Sequence, residues 1–304
     1  MRLVFCGCRR GSLSPVRALL ALFLVLSLFS AAQAAPRKAY LDDLAVVYDD
    51  LGQPEGEAIL FVHGWACDAS VWRFQLPAFS EAFRVLAVDL PGFGRSDRPK
   101  DREYTVDLFA AGLEAVLEAS GVGKAVIVGH SMGYAVGLEL LARRPQAVAA
   151  FVNVDGAYFR PPRDEDPQAW WASLAQFAEG FGGPGRDDLL QWFIGETFYG
   201  KTDPAVQQEV RALMGSVDRH VAYSSMAHFV RPETWRLRGP FGVPALAVYS
   251  YHDSYEEDHA DYLRRTFPDL VYEEWDDTGH FLMMERPGRF NALLRRFVDS
   301  ALSR

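Results

Sequence analysis

The stretch "AVIVGHSMGYAVGLELLARR", residues 125 to 144, constrains the fold of this chain more than any other. An apolar, β-branched segment runs through Gly129-His130-Ser131-Met132-Gly133 into apolar residues at helical spacing, so the chain must turn from strand to helix within a few residues. A serine at the tip of so tight a turn presents its hydroxyl clear of the sheet. Side chains at 129 and 133 would collide with neighbouring backbone, which glycine avoids. A helix beginning at Met132 also aims unpaired N–H groups and the positive end of its dipole at the place where an oxyanion would develop.

The segments around this turn repeat its alternation. "AILFV" (58 to 62), "FRVLAV" (83 to 88), "AVIV" (125 to 128), "VAAFVNV" (148 to 154), "ALAVYSY" (245 to 251) and "LVYEEW" (270 to 275) have the continuous apolar character of strands buried on both faces. Between them, residues 104 to 120 and 132 to 144 carry apolar residues every three or four positions, as helices do. The fold class that follows is α/β, a mostly parallel sheet covered by helices. The alternation lapses between about 157 and 240, where Trp170, Trp171, Trp192 and Trp235 sit on helical patterns. That stretch reads as an insertion over the strand ends, with most of its tryptophans packing a small core of its own.

The first 34 residues stand apart. Arg2, Arg9, Arg10 and Arg17 are followed by an apolar run from Ala18 to Phe29 and then Ala32-Gln33-Ala34, the pattern of a cleavable signal peptide. The run is too short to span a membrane. Export to a periplasm or to the exterior is expected, with no stable membrane anchor after cleavage. The leader holds four of the 31 basic residues and none of the 40 acidic ones, so the mature chain is more acidic than the −9 of the whole sequence, and nucleic acid is a poor partner. Of the three cysteines only Cys67 lies beyond the leader, which excludes an internal disulfide in the mature chain. No histidine spacing matches a zinc site, and "EASGVGKA" (118 to 125) lacks the first glycine and the hydroxyl residue of a phosphate loop.

A serine is a weak nucleophile until a base takes its proton, and that base needs a third group to fix its tautomer. His280, in "WDDTGHFLMMERPGRF", follows the last strand. Asp253, in "VYSYHDS", follows the strand from Ala245, and the order serine, acid, histidine suits a sheet of this type. Asp155, in "NVDGAY", also follows a strand and competes for the acid position; Asp253 is favoured.

With these residues in hand, the chain resembles the α/β-hydrolase superfamily, of the single-domain serine esterase and C-C hydrolase type. His63-Gly64-Trp65 is similar to its oxyanion loop, "DLPGFGRSD" (89 to 97) to its fingerprint after the next strand, "GHSMG" to its nucleophile elbow and "GHFLMMERP" (279 to 287) to its histidine segment. The resemblance implies an eight-stranded sheet, a helical cap formed by the insertion, and no cofactor. It implies Ser131 as nucleophile, His280 as base and then acid, Asp253 as orienting carboxylate, and the backbone N–H groups of Trp65 and Met132 as the oxyanion hole. Tyr134 stands where a further glycine is common and narrows the site or is taken up by the helix. Trp65, Tyr134, Trp170, Trp192 and His228 are the expected substrate contacts, around a small to medium, mainly apolar ester or lactone. C-C bond hydrolysis, perhydrolysis and a non-catalytic ligand-binding role on the same fold stand as alternatives.

Overall fold

The computed structural model describes residues 35–156, 158–236, 238–250 and 259–303. The proposed leader and Asp253 lie outside the described residues. Eight strands form one sheet: β1 (Arg37–Leu41), β2 (Leu44–Gly52), β3 (Ala58–Val62), β4 (Arg84–Val88), β5 (Ala125–His130), β6 (Val148–Val154), β7 (Ala245–Ser250) and β8 (Leu270–Trp275). Their order is β1-β2-β4-β3-β5-β6-β7-β8. From β4 to β8 every pairing is parallel, while β2 runs antiparallel to both of its neighbours. Every residue of β3 and β5 is buried, as expected of central strands covered on both faces. Sequence reasoning located β3 to β8 but not the β1–β2 hairpin. The edge strand β1 buries only Ala39, so its sequence carries no apolar run.

Helices cover both faces and the strand ends. In chain order they are α1 (Leu76–Ser80), α2 (Val106–Ser120) and α3 (Met132–Arg143), then α4 (Pro167–Gly180), α5 (Arg186–Glu196), α6 (Pro204–Gly215) and α7 (Arg219–Phe229) between β6 and β7, and finally α8 (His259–Thr266), α9 (Leu282–Glu285) and α10 (Pro287–Leu302). The four helices α4 to α7 make up the insertion. Asp166, Asp203 and Asp218 cap α4, α6 and α7, each accepting a bond from a first-turn backbone N–H, and Pro167 and Pro204 occupy first positions where no N–H is needed.

The loop after β4 braces the C-terminal end of the parallel strands. Asp89, 1% exposed, accepts from the Ala69 N–H and the Arg95 N–H, each at 2.9 Å, and from Arg95 Nε at 2.6 Å. His63, at the end of β3, accepts the Leu90 N–H on Nε2 at 2.9 Å, which puts its proton on Nδ1, where it donates to the Gly64 carbonyl at 2.7 Å. Burial, the largest influence on this ring, holds its pKa below the ordinary value.

Two consequences are measurable. Asp89→Ala leaves the Ala69 and Arg95 donors without their buried acceptor and is expected to cost about 3 kcal/mol in urea unfolding. Because folded His63 takes up a proton only below the pH at which the unfolded ring does, its contribution is fully present above about pH 6.5 and is lost as pH falls. The urea midpoint should therefore drop from pH 7 to pH 5.5, and drop less steeply in His63→Gln.

Candidate active site

Strand β5 delivers Ser131 to the sheet's C-terminal edge, and the backbone there is strained. Ser131 has φ 53° and ψ −119°, a region that L-residues rarely enter and that costs about 1–3 kcal/mol. Two bonds hold it: the Ser131 N–H donates to the Val154 carbonyl and the Tyr134 N–H donates to the Ser131 carbonyl, each at 3.0 Å. The two flanking glycines are sterically required. A Cβ at 133 would lie 2.4 Å from the Val62 carbonyl oxygen, and one at 129 would lie 2.5 Å from the Gly133 carbonyl oxygen. Helix α3 begins at Met132, so its first N–H groups have no carbonyl one turn earlier to bind.

The carboxylate that meets His280 is Asp155. His280 Nδ1–H donates to Asp155 Oδ2 at 2.6 Å, which makes Nε2 the basic nitrogen. Asp155 follows β6 with φ 45°, and its N–H donates to the Val248 carbonyl of β7 at 2.8 Å. Its Oδ1 accepts from the Ser250 N–H at 2.7 Å and from Ser250 Oγ at 3.0 Å, and the side chain is 2% exposed. Sequence reasoning favoured Asp253, one strand further on. The geometry instead puts Ser250, at the end of β7, in contact with Asp155. Because β6 and β7 are parallel neighbours, a carboxylate after either can reach the histidine loop, and the chain order alone does not separate them.

His280 is also held through its backbone. His130 Nε2–H donates to the His280 carbonyl at 2.9 Å from a fully buried ring whose pKa is held well below the ordinary value, by burial first and by the neighbouring His280 second. The His280 N–H donates to the Thr197 carbonyl at 2.9 Å, past the end of α5. Glu285 ties this loop to the insertion: Oε1 accepts the Gly279 N–H at 3.0 Å and Oε2 accepts the Thr202 hydroxyl at 2.8 Å. Burial raises the Glu285 pKa, and these two bonds oppose that rise. The histidine loop is thus bonded to the inserted segment at two places.

The loop after β3 presses against the serine. Gly64 approaches so closely that a Cβ there would lie 2.9 Å from Ser131 Cβ, and Ala66 has φ 57°. Trp65, the expected oxyanion donor, directly follows this glycine. The Trp65 side chain is buried and turns into the insertion.

Ser131, Asp155 and His280 all line one cavity of about 630 Å³, within the usual range for small-molecule sites. No Ser131–His280 hydrogen bond forms among the described residues; such bonds often tighten only when substrate is bound. Among the five expected substrate contacts, Trp65 alone lines this cavity. Tyr134 is 2% exposed and packs edge-on against Phe151 below the elbow, accommodated by the fold rather than narrowing the site. Trp170 lies against Trp171 and Phe159, while Trp192 is 56% exposed with its ring near Phe177. His228 Nδ1–H donates to the Ser224 carbonyl at 2.8 Å, and its Nε2 lies 3.4 Å from Glu103. The walls come instead from Phe159, Phe177, Phe193, Phe198, Met214 and Met226. Phenylalanines at helical spacing look like ordinary core residues in a sequence, so nothing marked these as lining.

Comparison with known proteins agrees with this architecture. A family model described as the alpha/beta hydrolase fold matches residues 57–287. The 2-hydroxymuconate semialdehyde hydrolase of Pseudomonas sp. (strain CF600) is 32% identical over 127 residues, 41% of this chain and 45% of that protein, so the match spans less than half of that relative's length. The AB hydrolase superfamily protein YisY of Bacillus subtilis (strain 168) is 25% identical over 275 residues, 85% of this chain and 97% of that one. A thermophilic esterase from Thermogutta terrifontis shares the fold with a TM-score of 0.76 at 23% identity, over 88% of this chain and 99% of the other. With the family model matched across well over half of its length, the chain belongs to the alpha/beta hydrolase family.

Proposed function

We propose that this hydrolase cleaves a small to medium, mainly apolar carboxylic ester or lactone through an acyl-enzyme on Ser131. The observation that carries the reading is the 2.6 Å bond from His280 to the buried Asp155, in the same cavity as a serine held on a strained turn. Ser131 Oγ attacks the carbonyl carbon while His280 Nε2 takes its proton, and Asp155 stabilises the resulting imidazolium. The Trp65 and Met132 N–H groups receive the developing oxyanion. Collapse expels the alkoxide, which takes the proton from His280. Water then gives its proton to the same nitrogen and attacks the acyl carbon, and the second collapse frees the acid and restores Ser131. Aromatic and methionine walls favour an apolar substrate body.

A second reading is that the same three groups cleave a carbon-carbon bond in a diketone-like compound; a relative similar over 127 residues is named for hydrolysis of a semialdehyde, not of an ester. Turnover of a diketone-type substrate with no ester hydrolysis would select it.

The test begins with a fluorophosphonate probe on the wild type and on Ser131→Ala, followed by a series of short to long nitrophenyl esters. Labelling and ester turnover are expected for the wild type alone, with kcat/KM falling by about 10⁴-fold or more in Ser131→Ala. Asp155→Asn is expected to lower kcat by about 10³–10⁴-fold while Asp253→Asn stays within a few-fold. The reverse pattern would return the acid role to Asp253. A folded wild type that neither labels nor turns over any substrate would leave a binding protein on a hydrolase fold.

A further inference from the structure

The residue assigned to the oxyanion hole is anchored from outside the sheet. The Trp65 indole N–H donates to Ser225 Oγ at 3.0 Å, with the Ala222 carbonyl at 3.3 Å, both on α7 of the insertion. Ser225 is 1% exposed and its hydroxyl donates onward to the Val221 carbonyl at 2.5 Å, so its oxygen is oriented to accept from the indole. Phe181, just past α4, and Phe193, on α5, meet the indole edge-on at centroid separations of 4.8 and 5.4 Å. Residues of α5, α7 and the C-terminal cap of α4 therefore grip one side chain, while the residue just before it, Gly64, packs against Ser131. A buried indole N–H left without an acceptor is costly, which makes the bond to Ser225 directional as well as tight.

We propose that Ser225 is a positioning residue for catalysis: through the Trp65 indole it sets where the Trp65 backbone N–H points, so the seating of the inserted helices is read out as oxyanion stabilisation. This rests on the acyl-enzyme reading above. The N–H must meet the oxyanion at hydrogen-bond distance, and the gain is lost steeply with misplacement. Rotation of the indole away from α7 would turn the Gly64–Ala66 backbone with it, because the turn is short and already strained at Ala66. Ground-state binding, which depends on the apolar walls, would change little.

The test compares the wild type with Ser225→Ala and Trp65→Phe on the best nitrophenyl ester. A boronic acid, whose adduct on Ser131 resembles the tetrahedral intermediate, serves as the second readout. Ser225→Ala is expected to lose about tenfold or more in kcat with KM within about twofold, and to bind the boronic acid weaker by the same factor, while Trp65→Phe is expected to lose at least as much in kcat with KM free to change because Trp65 lines the cavity. A kcat within twofold of wild type in a folded variant would overturn the proposal, as would a loss confined to KM. If Ser225→Ala does not fold, Ser225→Cys decides alone, since its thiol fills the same space and is only a weak acceptor for the indole N–H. Fluorophosphonate labelling of the wild type separates the two levels: a labelled wild type with unaffected variants sinks this inference alone, and an unlabelled one sinks both.

Discussion

The Asp155 carboxylate is the group on which the catalytic edge of the sheet depends. It stands at the end of β6, accepts two bonds from Ser250 at the end of β7, and accepts the Nδ1 proton of His280 from the loop after β8. One buried side chain thus ties three consecutive strand ends together. An unpaired carboxylate at this depth would be strongly destabilising, so its partners are held in place by the same bonds that orient the histidine. Orientation of the base is therefore a property of the folded core and needs no substrate to create it.

Backbone strain is concentrated in the same place. Among the described residues, four non-glycine positions have positive φ: Asp42, Ala66, Ser131 and Asp155. Asp42 belongs to the β1–β2 hairpin turn. The other three stand in the loop after β3, at the turn into α3 and at the end of β6, all at the candidate site. Each strained residue is offset by bonds from an adjacent parallel strand or by close backbone packing, which is how a sheet edge can hold three awkward turns within one small volume.

The sequence exposes the parts of this design that depend on local chain chemistry. Glycines at 129 and 133, a helix pattern from Met132 and apolar runs of strand length are local features, and they located the elbow and six strands. The identity of the acid is a property of strand register: "NVDGAY" and "YSYHDS" follow neighbouring parallel strands, and no local pattern says which carboxylate the histidine loop will reach. The cavity walls were hidden for a similar reason. Tryptophans on the inserted helices stand out by their size, yet Trp170 and Trp192 pack among other rings or face outward, while Phe177, two turns on from Trp170, and Phe193, next to Trp192, line the site. Which face of an inserted helix looks inward is decided by the sheet beneath it. The edge strand β1 is hard to see because it buries only Ala39, whereas its partner β2 does carry an apolar run, Leu44 to Tyr48.

The bond from the His280 N–H to the Thr197 carbonyl bears on how such a protein can diversify. An inserted segment that merely covered the sheet could be exchanged wholesale between homologues, with the chemistry untouched and only the choice of substrate altered. Here the insertion supplies a carbonyl to the backbone of His280 itself. A transplanted segment would have to bring an equivalent acceptor at the same point, or leave that N–H unsatisfied in a buried loop. Recombination of this chain is thereby confined to crossover points that keep residues 197 to 202 with the histidine loop, and novelty in substrate choice has to come from single substitutions along the aromatic walls.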